Sequence, residues 1–239
     1  MLRVNYYIKV FVLLVLVVFL YAFSSVRNSA RKVSVPEIKF MGDDNLFITH
    51  ETVSKLLIQN QQSVANKPKE IIDLNGLENA LTANPMIKEA QVFIGVDGKI
   101  TAEIEQKKPI ARVSTNASFY LDDTGSYMPL STNYTARVPL ITGTVYKNEL
   151  ANVFTIASKV QQDDFLKKHV VEIHQNENKS IDLRFRLNDF TIHLGSLKSL
   201  EKKINNLKAF YQKAMRDNTL NQYSAVNLKF DNQVICTKK

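Results

Sequence analysis

Ser199-Leu200-Glu201-Lys202 sets a hydroxyl three residues ahead of an amine, the Ser-x-x-Lys spacing by which penicillin-binding enzymes activate a serine nucleophile. The same spacing recurs at Ser29-Ala30-Arg31-Lys32, and the accompanying Lys-Thr-Gly is absent, so an exposed helix face is the simpler reading. His50, His169, His174 and His193 are scattered, and none sits in His-Glu-x-x-His. The chain also lacks Gly-x-Ser-x-Gly, a P-loop and Gly-x-Gly-x-x-Gly. Asp122 and Asp123 are adjacent: on a strand they point to opposite faces, and in a turn they cap backbone amides, which favours turn chemistry over an acid and base pair. Cys236 is the single cysteine, which excludes an intramolecular disulfide and a structural cysteine zinc site. Asn116, Asn133 and Asn178 each open a glycosylation triplet, relevant only in a eukaryotic secretory pathway. No catalytic, cofactor or metal residues are assigned.

The net charge of +8 invites a nucleic-acid reading. Arg3, Lys9, Arg27, Arg31 and Lys32 supply more than half of it, with no acid among residues 1 to 32, and the remainder is close to balance. The excess therefore belongs to the flanks of a membrane segment, and no nucleic-acid partner is expected. Val10 to Phe23 is an unbroken apolar run, and Tyr6 to Val26 is interrupted only by Lys9, Ser24 and Ser25. The longer stretch, as a helix of ~31 Å, matches a hydrocarbon core of ~30 Å. Lys9 can snorkel to the headgroups, and Tyr6, Tyr7 and Tyr21 suit the interfaces of a lipid bilayer. The competing reading is a cleaved signal peptide with Ala22 and Ser24 before the cut, but no clean Ala-x-Ala site follows. Positive charge on both flanks leaves orientation undecided by charge alone. Residues 27 to 35 read as a linker.

With 239 residues and 45% hydrophobic content, the rest can bury one or two small cores. The first block reads strand, helix, helix, strand, strand. Ile38 and Phe40 alternate, and Thr49 caps a helix with Val53, Leu56 and Leu57 on one face. Asn75 and Glu78 have capping-box spacing ahead of the Leu74, Leu77, Leu81 stripe, which Asn84-Pro85 stops. Ala90, Val92 and Ile94, then Ile100, Ala102 and Ile104, flank Asp97-Gly98, which predicts a hairpin with a type I′ turn.

The second block is richer in β structure. It holds a strand at Phe119 to Leu121, a turn through Asp122 to Gly125, and an edge strand from Tyr127 to Leu130. A helix is expected over Glu149 to Val160, striped by Leu150, Val153, Phe154, Ala157 and Val160. Val171 and Ile173 form a strand, and Ile181 to Leu187 with Phe190 to Leu194 make a hairpin about Asn188-Asp189. Leu197, Leu200, Ile204, Leu207 and Tyr211 stripe a long helix. The last strand is expected from Ala225 to Phe230, extended by Val234 to Cys236. The class is α+β: an N-terminal transmembrane helix, a small strand-helix-helix-strand-strand domain, then a β domain with an antiparallel sheet and packed helices.

Asn84-Pro85-Met86-Ile87-Lys88-Glu89-Ala90-Gln91-Val92, the hairpin, and Glu105-Gln106-Lys107-Lys108-Pro109-Ile110-Ala111 together resemble the end of the POTRA domain in the FtsQ/DivIB bacterial cell-division family. Phe119 to Gly125 with Val138 to Gly143, Phe190 to Gly195, and Val226 to Phe230 follow in that family's order. One departure is Asn227-Leu228-Lys229, where the family usually has Asp-Leu-Arg.

The resemblance implies residues 1 to 32 as cytoplasmic tail, single-pass type II anchor and linker, a POTRA domain at 36 to 106, and a β domain at 109 to 239. It places these two domains outside the cytoplasmic (inner) membrane, at the division septum. It further implies a non-enzymatic divisome scaffold that binds the small division proteins FtsB and FtsL and helps to regulate septal peptidoglycan synthesis, with no cofactor. In that family the terminal β strand pairs with a strand of FtsB. On that analogy the partner-binding residues are Val226, Leu228, Lys229, Phe230, Asn232 and Val234, with Phe230 as the apolar anchor; ordinary core packing is the alternative for Phe230. Two other readings stand beside this one: a membrane-anchored peptidoglycan enzyme using Ser199, and a POTRA-type module for protein transport or outer-membrane assembly. The latter would lead into a barrel, and no long series of lipid-facing strands follows residue 113.

Overall fold

Leu2–Ser29 forms one helix, α1. The computed structural model describes residues 2–29, 36–42, 45–61, 72–95, 97–115, 117–230 and 233–239. Within α1, Tyr7–Arg27 has a mean hydropathy of 2.5 and all its side chains are exposed. A helix this apolar with nothing packed on it is stable in hydrocarbon, and its length suffices to cross a membrane. The expected linker begins later than residue 27, because α1 continues to Ser29; residues 30–35 lie outside the described residues.

By its internal contacts the chain divides into Met1–Gln106 and Lys107–Lys239. In the first unit, α1 is followed by β1 (Glu37–Met41), α2 (His50–Gln61), α3 (Leu74–Thr82), β2 (Ile87–Ile94) and β3 (Ile100–Gln106). Among the described residues the sheet order is β1-β3-β2, with β1 parallel and β2 antiparallel to the central β3. Centrality explains the near-continuous burial of β3. Ile100, Ala102 and Ile104 meet Val53, Leu57, Leu77, Leu81, Ala90 and Val92 in one core. Thr49 caps α2 as expected, its Oγ1 accepting from Thr52 N at 3.2 Å.

Two local expectations are corrected. The cap of α3 is Asp73, whose Oδ1 accepts from Gly76 N at 2.9 Å, because Asn75 already lies within the first turn. Glu78 instead reaches out of the helix and accepts from Val92 N at 2.7 Å, covering a donor on edge strand β2. The hairpin turn is also one residue longer than Asp97-Gly98 alone suggests. Gly95 N donates to Lys99 O and Gly98 N to Gly95 O, with Gly98 at φ +82. A three-residue loop ending in a left-handed glycine is the next commonest hairpin connection after the two-residue turn.

The second unit comprises β4 (Pro109–Ser114), β5 (Ser118–Asp122), β6 (Tyr127–Met128), β7 (Leu140–Gly143), α4 (Ala151–Gln162), α5 (Asp164–His169), β8 (Val170–Gln175), β9 (Ile181–Phe185), β10 (Thr191–Gly195), α6 (Leu200–Arg216), a 3-10 turn (Leu220–Gln222), β11 (Tyr223–Asn227) and β12 (Ile235–Lys238). Among the described residues the nine strands lie in the order β12-β11-β10-β9-β8-β7-β4-β5-β6. The α+β class stands, but the sheet is mixed: β4 and β7, β7 and β8, and β10 and β11 are parallel. Parallel neighbours need crossovers: α4 with α5 connect β7 to β8, α6 connects β10 to β11, and β5 and β6 with the segment after them connect β4 to β7.

Register sorts the faces. Val113, Ile141, Ile173, Leu183, Ile192 and Val226 are successive partners across six strands, and each is fully buried. The stripes of α4 (Val153, Ile156, Ala157, Val160) and α6 (Ile204, Leu207, Tyr211) belong to the same core. One residue on, Thr142, His174, Asp182, His193, Asn227 and Ile235 are likewise successive partners, on the opposite face. Asp163 ends α4 in an extended conformation and caps α5, its Oδ1 accepting from Phe165 N and Leu166 N.

Candidate partner-binding edge

The strand expected from Ala225 to Phe230 ends at Asn227. Leu228 N still donates to His193 O at 2.9 Å, but Asn227 Oδ1 then accepts from Lys229 N at 2.9 Å and turns the chain away. Val234 to Cys236 does not extend this strand. Instead β12 returns antiparallel to β11, pairing Asn227 with Ile235, Val226 with Cys236 and Ala225 with Thr237. At this end of the sheet the free edge is therefore β12, as β6 is at the other: among the described residues no strand pairs with its outer side. An edge strand presents a row of backbone donors and acceptors to any extended segment. The far end is held by Lys239 N, which donates to Gln222 O at 2.8 Å, and by Lys239 Nζ, 3.7 Å from Asp189 Oδ2.

The six expected partner residues separate by position. Val226 and Leu228 are buried, at 0% and 1% exposure, so their side chains hold the fold and are closed to a partner. Lys229 is exposed, and Phe230 is 47% exposed, which removes ordinary core packing as its role. Val234 is half-buried against the core. Asn232 lies outside the described residues. Sequence reasoning missed Ile235, 42% exposed, and Thr237, its same-face neighbour on β12. Four residues carry too little alternation to announce a strand. Lys238 and Lys239 at the edge are the charge by which sheets resist indiscriminate pairing.

Of the residues with catalytic potential, His174 and His193 come together with Thr142 and Asp182 on one face of the sheet, while Ser199, His50 and His169 stand elsewhere. Ser199 precedes α6 at φ +55 and makes no capping hydrogen bond through its side chain. His193 Nδ1 lies 2.9 Å from Asp182 Oδ1, and His174 Nδ1 lies 2.9 Å from Thr142 Oγ1, which donates to Glu172 Oε1. His169 Nδ1 contacts Phe165 O at 2.7 Å, and its ring stands among Phe165, Phe185 and Tyr211. His50 packs on Phe40. Among the described residues no three metal-ligating side chains come together.

Asp122 does turn chemistry, as its sequence context predicts. Oδ1 accepts from Thr124 N, Thr124 Oγ1 and Ser126 N, and Oδ2 pairs with Lys107 Nζ at 2.9 Å. Burial pushes its carboxyl upward, but the Lys107 ammonium, the Thr124 hydroxyl and the Ser126 N–H together outweigh burial and hold it below the ordinary aspartate value.

Comparison with known proteins follows the same division of the chain. The family model described as FtsQ/DivIB, C-terminal related, matches residues 108–237, and a POTRA-like domain model matches residues 38–105. Among curated proteins, the cell division protein DivIB of Clostridium tetani (strain Massachusetts / E88) is 25% identical over 197 residues, covering 74% of this chain and 68% of the relative.

Proposed function

The chain belongs to the FtsQ/DivIB family of cell-division proteins, and on that premise we propose that it is a non-enzymatic divisome scaffold that binds FtsB- and FtsL-like membrane proteins by strand addition at β12. The observation that carries the proposal is the position of β12: a short strand, paired on one side only among the described residues, that opens with the exposed Ile235 and follows the exposed Phe230. Main-chain hydrogen bonds to that edge supply affinity, and apolar contacts with Phe230 and Ile235 supply selectivity. Ser199 makes no capping hydrogen bond through its side chain, and the Thr142 hydroxyl beside His174 is already donated to Glu172 Oε1, which supports a binding role over a peptidoglycan enzyme. In this reading α1 is a type II anchor, and the POTRA and β domains lie outside the cytoplasmic membrane at the septum. There the complex helps to regulate septal peptidoglycan synthesis.

The test is amide hydrogen exchange on the full chain in lipid nanodiscs, with and without an FtsB-like partner. Exchange at Ile235–Lys238 is expected to slow on binding, because strand addition closes the outward-facing amides. Partner binding that leaves those amides unchanged would exclude the β12 edge as the docking site.

A further inference from the structure

The carboxyl ends of β8, β10 and β11 surround an open cleft of about 510 Å³, distinct from the β12 edge. Strands β8, β10 and β11 run the same way, each of β8 and β10 being antiparallel to β9 and β11 parallel to β10, so the segments that follow them gather at one end of the sheet. Lys179, Lys203 and Lys229 all line the cleft, and no Asp or Glu is among its described lining residues. Lys203 is 3% exposed and donates to Leu194 O at 3.0 Å and Ser196 O at 2.7 Å. Lys179, in the turn between β8 and β9, is shared with Glu149. Lys229 makes no side-chain ion pair or hydrogen bond among the described residues. Its stem lies against Gly195: a Cβ there, where φ is +73, would come 2.8 Å from Lys229 Cγ. Only glycine there lets the lysine stem lie across the backbone and reach the cleft.

Hydroxyls complete the set. Ser196 and Ser180 line the same cleft, and Ser180 Oγ already accepts from Asn176 Nδ2, leaving its O–H to donate outward. A cleft lined by lysines and hydroxyls, with no carboxylate among its described lining residues, suits a multiply charged oxyanion.

We propose that this cleft binds a phosphoryl group, with Lys229 and Lys203 supplying charge and Ser196 and Ser180 supplying directed hydrogen bonds. The group comes either from a soluble phosphate compound or from a lipid headgroup, and both present the same oxyanion. Binding is independent of strand addition and weakens as ionic strength rises.

The probe is inorganic pyrophosphate, titrated calorimetrically into the full chain in neutral-lipid nanodiscs without partner protein. A second arm replaces part of the neutral lipid with phosphatidylglycerol and reads the melting temperature of the second unit. Saturable pyrophosphate binding that weakens about tenfold in Lys229→Ala, and is abolished in Lys229→Glu, supports a soluble source. No pyrophosphate binding, together with a phosphatidylglycerol-dependent rise in melting temperature that Lys229→Glu removes, supports the headgroup. Lys229 is exposed, so both variants retain the fold. If neither arm depends on Lys229, the proposal is overturned.

Discussion

Lys107 and Asp122 meet at 2.9 Å, Nζ to Oδ2, joining the residue that opens the second unit to the end of β5, and the Asp122 side chain is wholly buried. Three further donors from Thr124 and Ser126 converge on the same carboxylate. It is a structural ion pair that fixes the β5 to β6 turn.

Acid should release that turn. A carboxyl held below its unfolded value of about 3.9 contributes stability that is complete above that value and is lost as pH falls through the folded value. Asp163 adds to the same limb: burial raises it, while Lys208, 2.5 Å away, and the Leu166 N–H lower it further, so its net shift is also downward. Asp122→Asn is expected to cost about 2 to 4 kcal/mol near neutral pH and to flatten the acid side of the melting-temperature profile. A profile as steep as that of the wild type would assign the acid sensitivity to other groups.

Gln106 plays the corresponding part in the first unit. Its Oε1 accepts from Phe47 N at 3.0 Å and Ile48 N at 3.1 Å, and its Nε2 donates to Ile48 O at 3.1 Å. Gln106→Ala strands three backbone groups at once, with an expected loss of about 2 to 4 kcal/mol in urea unfolding followed in this unit.

Leu228 and Phe230, two residues apart, should separate folding from binding. Leu228→Ala empties a core site and should cost about 2 to 5 kcal/mol of stability. Phe230→Ala should change stability by less than about 1 kcal/mol, while weakening an FtsB-like partner by about 1 to 3 kcal/mol in a calorimetric titration. Ile235→Glu is a harsher test than Phe230→Ala, because Ile235 is exposed on β12 and a charge there is desolvated only on docking. Equal affinity of wild type, Phe230→Ala and Ile235→Glu would move the interface elsewhere.

Ser199 is expected to behave as a strained helix start. Its φ of +55 is unfavourable for any residue with a Cβ, and its hydroxyl makes no cap, so Ser199→Gly should raise stability by about 0.5 to 1 kcal/mol in thermal melts. Fluorescent penicillin should leave the wild-type protein unlabelled, and covalent labelling lost in Ser199→Gly would reinstate the nucleophile.

Long periodic segments were legible: α6 from its leucine stripe, the β2 and β3 hairpin from two alternating runs, and α1 from its apolar length. Their signals are carried by many residues each, so a local misjudgement such as Asn75 for Asp73 changed only a boundary. The terminal edge was not legible in the same way. Alternation from Val226 to Phe230 continues in the sequence, while the chain is turned by one side-chain hydrogen bond at Asn227, which no period encodes. The mixed strand directions were hidden for a related reason, since pairing between β4 and β7 depends on closure over some thirty intervening residues. The lysine cleft gathers residues from four separated segments, and nothing in any one of them marks it.

Gln106 and Lys107 are neighbours in sequence, yet each is fastened to a different unit by its side chain. Each side chain therefore acts as a clasp within its own unit, so Gln106→Ala should loosen the first unit and loss of the Lys107 ammonium the second, each read as protection lost from amide exchange in that unit.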